Sequence, residues 1–495
     1  MSESTETKQK KPGSSPVAGL EPIHTRYRLR LLSDGQLLQL QEATLHILEA
    51  SGVRFPSRVA LEILEGHGAK VDFQSEVVRF PRDLVRKALR RAPRYFKLGA
   101  RHPGYTLQLQ QGVSYFTTDG CGVETVDLET GLRRPSCKAD VGMMARVADY
   151  LPSIGFYWPM VSAQDYGRSA PLHELEASWN NTIKHVQSET IMGAAPVRFA
   201  LEMAQVISGC WDEVRLHPPF SLVVCTIAPL VQDREGIEGA LLLAEAGIPV
   251  GFLAMPTLGT TAPATLAGAL AMADAEIISA AVLIQLAYPG APVFHSLMQA
   301  WADPSSGAYV SYPLDSRARY AVVEMAHHWG LPALGAAYGT DALRPGTWQS
   351  AAEVALDPYM VGLAGAEIVT GMGLAETYTL LYPEQILLDN DIYQRSRYYL
   401  MEMDLNAETL ALETIDAVGP GGHFLAQKHT RRHIRQSLRR GLQHQVGGDG
   451  KYRDPHEAAR EKLRWILDNH HPEPLEAAQQ AELRRILAAA DRELG

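Results

Sequence analysis

The chain has 495 residues, of which 46% are hydrophobic and 21% charged, and a formal net charge of −10. That length suits a barrel enzyme with additions better than one ordinary domain. The acidic balance speaks against a nucleic-acid partner, and no uninterrupted apolar run is long enough to predict a membrane span.

Residues 1–25 open polar and rich in Lys, Ser and Thr. They lack the apolar stretch of a signal peptide, so a disordered arm and a cytoplasmic location are expected. Ser33 and Gln36 have capping-box spacing. Leu37, Leu40, Thr44, Ile47 and Leu48 then repeat at helical spacing up to Gly52. Further helices are predicted after Pro56 and Pro81. Short strand-like runs follow at Tyr105–Leu109, Val113–Phe116 and Val123–Leu128. Residues 26–150 thus read as an α+β layer.

From Ile154 onward, short apolar runs alternate with helical segments. Strands are predicted at Phe156–Ala163, Thr190–Ala194, Ser221–Ile227, Val250–Ala254, Val293–Ser296, Ala333–Tyr338, Ile368–Met372 and Gln385–Leu388. Most are continuously apolar, as strands buried on both faces are. This predicts an α/β fold, a (β/α)₈ TIM barrel over residues 151–395. The clearest crossover helix is predicted from Pro263. A doubly wound sheet is the rival, but no G-x-G-x-x-G follows a strand, and Gly371-Met372-Gly373 lacks the third glycine. Residues 396–495 read as a helical extension, with a basic segment from Lys428 to His444 and a last helix from Glu476.

In such a barrel, function gathers where strands end. The first predicted strand carries Trp158 and ends in Ser162, Gln164 and Asp165. Later ends carry Cys225-Thr226, His295-Ser296, Tyr338 with Asp341, and Thr370. Trp301, Trp348 and Gln349 follow close behind. Rings converging with an acid such as Asp165 or Asp341 suit a quaternary ammonium, which binds by cation–π attraction and has no N–H to donate. The alternative is barrel core for Trp158 and lid packing for Tyr338, Trp301 and Trp348. The expected catalytic residues are Asp165 and Asp341. The expected substrate contacts are Trp158, Gln164, Thr226, His295, Tyr338, Trp348, Gln349 and Thr370.

Other chemistries lack their marks. There is no H-E-x-x-H, P-loop or G-x-S-x-G. His327-His328 are adjacent on a predicted helix and cannot face one metal. No protein-bound metal or tightly bound cofactor is expected. Cys121, Cys137, Cys210 and Cys225 form no CxxC pair and read as reduced structural residues.

Met255 to Val293 reads MPTLGTTAPATLAGALAMADAEIISAAVLIQLAYPGAPV. This closely resembles the trimethylamine methyltransferase superfamily. So do Val126–Gly131, His173–Leu175 with Asn181–His185, Gly339–Ala342 with Gln349 and Glu353, and Gly421–Leu425 with His429-Thr430. The resemblance covers about residues 30 to 470. It implies a barrel that moves a methyl group from an amine to the Co(I) corrinoid of a partner protein. Lacking pyrrolysine, the chain resembles the branch that demethylates quaternary amines such as glycine betaine. From such a substrate a neutral tertiary amine leaves, so no general acid is needed, and positioning and desolvation remain. The basic segment, with Arg431, Arg432, Arg435, Arg439 and Arg440, could meet an acidic face of the corrinoid protein or be a solvated helix face. A homo-oligomer is expected.

One loop departs from the family pattern. After Asp341-Ala342 the family shows Lys and then Asp before the Gln, whereas here Leu343 follows and Thr347 precedes Gln349. That departure keeps open a betaine-binding member without turnover. A lyase or aldolase acting on an anionic substrate, with Thr370–Gly373 as a phosphate loop, is the third reading.

Overall fold

The computed structural model describes residues 19–24, 28–120, 122–310, 316–336, 339–437 and 441–495. Eight parallel strands close a barrel: β1 Val113–Thr118, β2 Ile154–Tyr157, β3 His185–Ser188, β4 Phe220–Cys225, β5 Val250–Ala254, β6 Val293–Leu297, β7 Ala333–Ala336 and β8 Ile368–Met372. Closure comes from β8 pairing with β1, Ile368 opposite Tyr115. The (β/α)₈ class is therefore as expected, and five of the predicted strands lie where the apolar runs placed them, while the first, Phe156–Ala163, shares only Phe156 and Tyr157 with β2.

Several strand positions are corrected, and the two largest corrections have physical causes. The run Gln385–Leu388 is not a strand; it opens helix Gln385–Leu400, whose buried Ile386, Asp389, Tyr393, Ser396 and Leu400 recur at helical spacing. The missing strand is β1, which the sequence places in the N-terminal layer, so the barrel begins well before residue 151. Its buried positions include hydroxyls. Ser114 donates to the Ala366 carbonyl at 2.6 Å, Thr117 to that of Phe156 at 2.9 Å and Thr118 to that of Trp158 at 2.6 Å. Polar side chains satisfied in this way hide the apolar signature of a two-face-buried strand.

The second predicted strand is likewise shifted from Thr190–Ala194 to His185–Ser188. There the His185 ring faces Ser221 Oγ at 2.9 Å and the Gly99 carbonyl at 2.8 Å. The end of the expected N-terminal arm is corrected too: Ile23–His24 pairs antiparallel with β1. Residues 1–18 and 25 lie outside the described residues.

Helix Leu266–Ala287, which starts three residues after Pro263, is long and apolar enough by length and composition to cross a membrane. Its residues from Ala269 to Leu286 are all buried. The β5–β6 side of the barrel covers one face, and the N-terminal helices Asp34–His46, Arg58–Gly66 and Arg82–Leu89 cover the other. A helix apolar all round is what such a doubly covered position requires. The Ser33 capping box is present.

The base of the barrel is plugged by the hairpin Phe96–Leu98 with Leu107–Leu109, packed on Phe156, Phe294 and Ile368. The base is therefore sealed, and space for a ligand lies toward the C-terminal ends of the strands. In the helical extension, Arg432 and His433 of the basic helix Lys428–Ser437 both pair with Glu408 at the surface. The side chain of Arg435, and Arg439 and Arg440 entirely, lie outside the described residues.

Candidate active site

A cavity of about 420 Å³ opens at the C-terminal end of the barrel. Polar groups reach it from six of the strand ends: Asp119 after β1, Trp158 after β2, Ser188 and Glu189 at β3, Cys225 on β4, Ser296 on β6 and Thr370 on β8. Met192, Met255, Met298, Leu253 and Leu334 are among the apolar residues of the remaining wall. Among the described lining residues there is no Lys, Arg or His. Arg319, which lies near Tyr378, is bonded to Asp357.

A small four-stranded sheet roofs the cavity, made from Glu124–Val126, Arg133–Pro135, Leu374–Ala375 and Leu380–Leu381. The turn between the last two strands holds Glu376, Thr377 and Tyr378 at φ of 50°, 53° and 67°. Three consecutive non-glycine residues in the left-handed region persist only where surroundings over-determine them. Here they hold Tyr378 against Gly339, where an added Cβ would stand 2.3 Å from its ring.

Three carboxylates reach the cavity, and their environments differ. Glu174 accepts from Ser162 Oγ at 2.9 Å, Ala163 N–H at 3.1 Å and Thr190 Oγ1 at 2.8 Å. It braces the loops after β2 and β3, and burial raises its pKa. Asp119 accepts from the Gly120 N–H at 2.8 Å and lies beside Thr370. Burial pushes its pKa up to about 7. Half-buried Glu189 and the Trp158 ring both lie over Gly120, where a Cβ would stand 2.4 Å from Glu189 Oε1 and from Trp158 Nε1. Burial, with Glu189 and Asp119 nearby, pushes the Cys225 thiol up to about 12, so it is no thiolate nucleophile.

Of the residues expected from sequence, Trp158 and Thr370 line this cavity. Tyr338 lies outside the described residues. His295 and Thr226 sit on the outward side of their strands: His295 Nε2 meets Asp274 at 2.9 Å and Thr226 donates to Glu276 at 2.5 Å, both on helix Leu266–Ala287. Gln164 is exposed and binds the Val123 carbonyl and Ser136. Asp341 accepts from Thr377 at 2.9 Å, and Gln349 donates to Glu353 at 2.9 Å. Trp348 is 88% exposed. Thr347, one of the two departures from the family pattern, caps its helix by accepting from Ser350 N–H at 3.1 Å.

Asp165 accepts the Lys138 N–H at 2.8 Å, at the start of helix Lys138–Tyr150. Asp165→Ala is therefore expected to lower stability by about 1 kcal/mol, as loss of a cap does, and to leave ligand affinity unchanged. Chemical denaturation with ligand titration checks both, and a large affinity loss would return Asp165 to the site. Asp119, Glu189 and Tyr378 were not among the expected residues. Asp119 follows a barrel strand whose run, Val113–Phe116, the sequence assigned to the N-terminal layer.

The fold and cavity define a barrel whose C-terminal mouth holds an acidic, partly apolar cavity. The chain belongs to the trimethylamine methyltransferase (MTTB) family, whose sequence model matches residues 2–495. It is 32% identical over 471 residues to the trimethylamine methyltransferase MttB of Desulfitobacterium hafniense, covering 94% of each chain. It is 26% identical over 476 residues to the glycine betaine methyltransferase of the same species, covering 94% of this chain and 98% of that one. Among solved structures, the monomethylamine methyltransferase of Methanosarcina barkeri aligns over 88% of this chain and 92% of its own, with a TM-score of 0.47 and 11% identity. The chain is a methyltransferase of the methylamine and betaine group.

Proposed function

We propose that this enzyme takes a methyl group from a methylated ammonium held in the barrel cavity and passes it to the corrinoid of a partner protein. The observation that carries this reading is the cavity itself: carboxylates, an indole and thioethers, with no cationic group among the described lining residues. The partner's corrinoid would supply a low-valent cobalt as acceptor of the methyl group, and the C–N bonding pair would stay on nitrogen. An apolar rim suits the flat face of such a macrocycle. Val123 and Met255 line the cavity mouth and are 46% and 39% exposed, and Leu343 on the loop after β7 and Trp348 at the start of the helix that follows it are exposed.

The protein's own residues do the rest. Asp119 and Glu189 offset the charge of the ammonium, and Trp158 offers it a ring. Met192, Met255 and Met298 enclose its methyl groups and keep water away. Quaternary nitrogen leaves as a neutral amine, so no proton need be delivered. The neutral product then loses its attraction to the carboxylates, which favours release.

Mixing the protein with reduced corrinoid protein and a panel of methylated amines, and following the cobalt absorbance, tests the reading. Methyl transfer from at least one is expected; none from any would overturn it. Trp348→Ala is expected to slow transfer at limiting corrinoid protein by about tenfold, the effect of losing an exposed aromatic anchor. Amine affinity should not change. Equal transfer rates would remove Trp348 from the docking face.

A further inference from the structure

Resting on the reading above, we infer that the substrate is a methylated ammonium bearing a neutral hydroxyl, an amino alcohol, and not a carboxylate-bearing betaine. The inference starts from one orphaned donor. Trp158 is buried and lines the cavity, yet its Nε1 has no hydrogen-bond partner among the described residues. A buried donor left unpaired is unfavourable, so the bound molecule is the natural source of an acceptor.

The group beside that donor decides which acceptor fits. Trp158 Nε1 and Glu189 Oε1 both face the space above Gly120, each 2.4 Å from where a Cβ would stand. Donor and acceptor side by side match a hydroxyl, which accepts with a lone pair and donates its proton. A carboxylate could accept from the indole but would bring a second negative charge against Glu189, with Asp119 and Glu174 also on the wall. At short range and partial burial, that like-charge contact is unfavourable, and no lining cation among the described residues offsets it.

The remaining wall says what the other end of the molecule is. Met192, Met255 and Met298 offer polarizable, apolar contacts of the kind methyl groups take. A hydrated divalent ion would find no such use for them. Glycine at position 120 is then required, because any side chain would occupy the place assigned to the hydroxyl.

Calorimetry on the full chain at pH 8 tests this with four probes: choline, tetramethylammonium, glycine betaine and 3,3-dimethylbutan-1-ol, the uncharged carbon analogue of choline. Choline is expected to bind most tightly, with glycine betaine at least about tenfold weaker, as a site built for one polar group discriminates. The uncharged analogue should not bind measurably. Trp158→Phe keeps a ring for the ammonium but removes the N–H donor, so it should lower choline affinity by several-fold more than tetramethylammonium affinity and close the gap between the two. Glu189→Gln should narrow the gap between choline and betaine. Betaine binding as tightly as choline, or serving as the better methyl donor, would overturn the hydroxyl assignment and leave the methyltransferase reading intact. Failure of every cation to bind, with no methyl transfer from any amine, would overturn both.

Discussion

Replacing Asp119 by Asn is expected to weaken binding of a quaternary ammonium at pH 8 by about 100-fold, the scale of one close charge pair in a partly dehydrated site. The Gly120 N–H that Asp119 now accepts at 2.8 Å would still find an oxygen, so the backbone there should hold. The loss should depend on pH in a particular direction. The carboxyl titrates near 7 in the empty protein because burial disfavours its charge. A quaternary ammonium keeps its charge at every pH and draws only on the ionised form. Wild-type affinity should therefore rise by up to about tenfold from pH 6 to pH 8, one proton being released on binding. The Asn variant should show a flatter curve.

Stability should move the opposite way. A carboxyl whose folded pKa lies above its unfolded value favours folding at low pH. That contribution is lost as pH rises from about 4 through about 7. Asp119→Asn should then raise the melting temperature of the empty protein at pH 8 and do little at pH 4. Gain of stability with loss of binding is the pattern of a residue kept for function. If affinity were unchanged at pH 8, Asp119 would have no part in the site.

The effect should also fall unevenly on the kinetics. The ammonium charge fades as the C–N bond breaks, so a carboxylate holds the substrate at least as well as the transition state. Interactions of that kind lower KM without raising kcat. Asp119→Asn should thus raise KM far more than it lowers kcat in the methyl-transfer assay. A pure kcat loss would mean that Asp119 acts on the reacting atoms directly.

Much of the barrel was legible because buried parallel strands are apolar on both faces, and Leu222–Val224 or Phe252–Ala254 show that plainly. The strand ends were legible as places. Which residue at each end turns inward was not, since one step along a strand reverses the side chain. His295 and Ser296 show the ambiguity: Ser296 reaches the cavity while His295 points to helix Leu266–Ala287. Thr226 and Cys225 repeat it at the end of β4. Asp119 was hidden for another reason. Its strand meets its buried polar demand with hydroxyls bonded to neighbouring carbonyls, which erases the pattern that would have announced it. Glu189 was hidden by the displaced third strand, because the run Thr190–Ala194 drew attention to itself.

The outward-facing residues carry the largest expected effect on stability. Asp274 is wholly buried on a helix apolar enough to span a bilayer, a position that punishes an unpaired charge. It meets Thr44 Oγ1 at 2.7 Å, His295 Nε2 at 2.9 Å and Trp329 Nε1 at 2.9 Å. Those partners belong to the N-terminal layer, the barrel wall and the next crossover helix, so one carboxylate ties three layers together. Asp274→Ala would strip the buried His295 and the partly buried Trp329 of their acceptor and leave Thr44 only a long bond to the Ala271 carbonyl, and is expected to destabilise the fold by about 3 to 5 kcal/mol. Asp274→Asn should lose less, because its carbonyl oxygen keeps some of those bonds. Limited proteolysis should show the N-terminal layer, up to about Arg82–Leu89, cut first, since its contact with the helix is what loosens. A melting temperature within a degree of wild type for Asp274→Ala would show that the layers are held by apolar packing alone. The barrel would then need another reason for placing an acid in its most apolar helix.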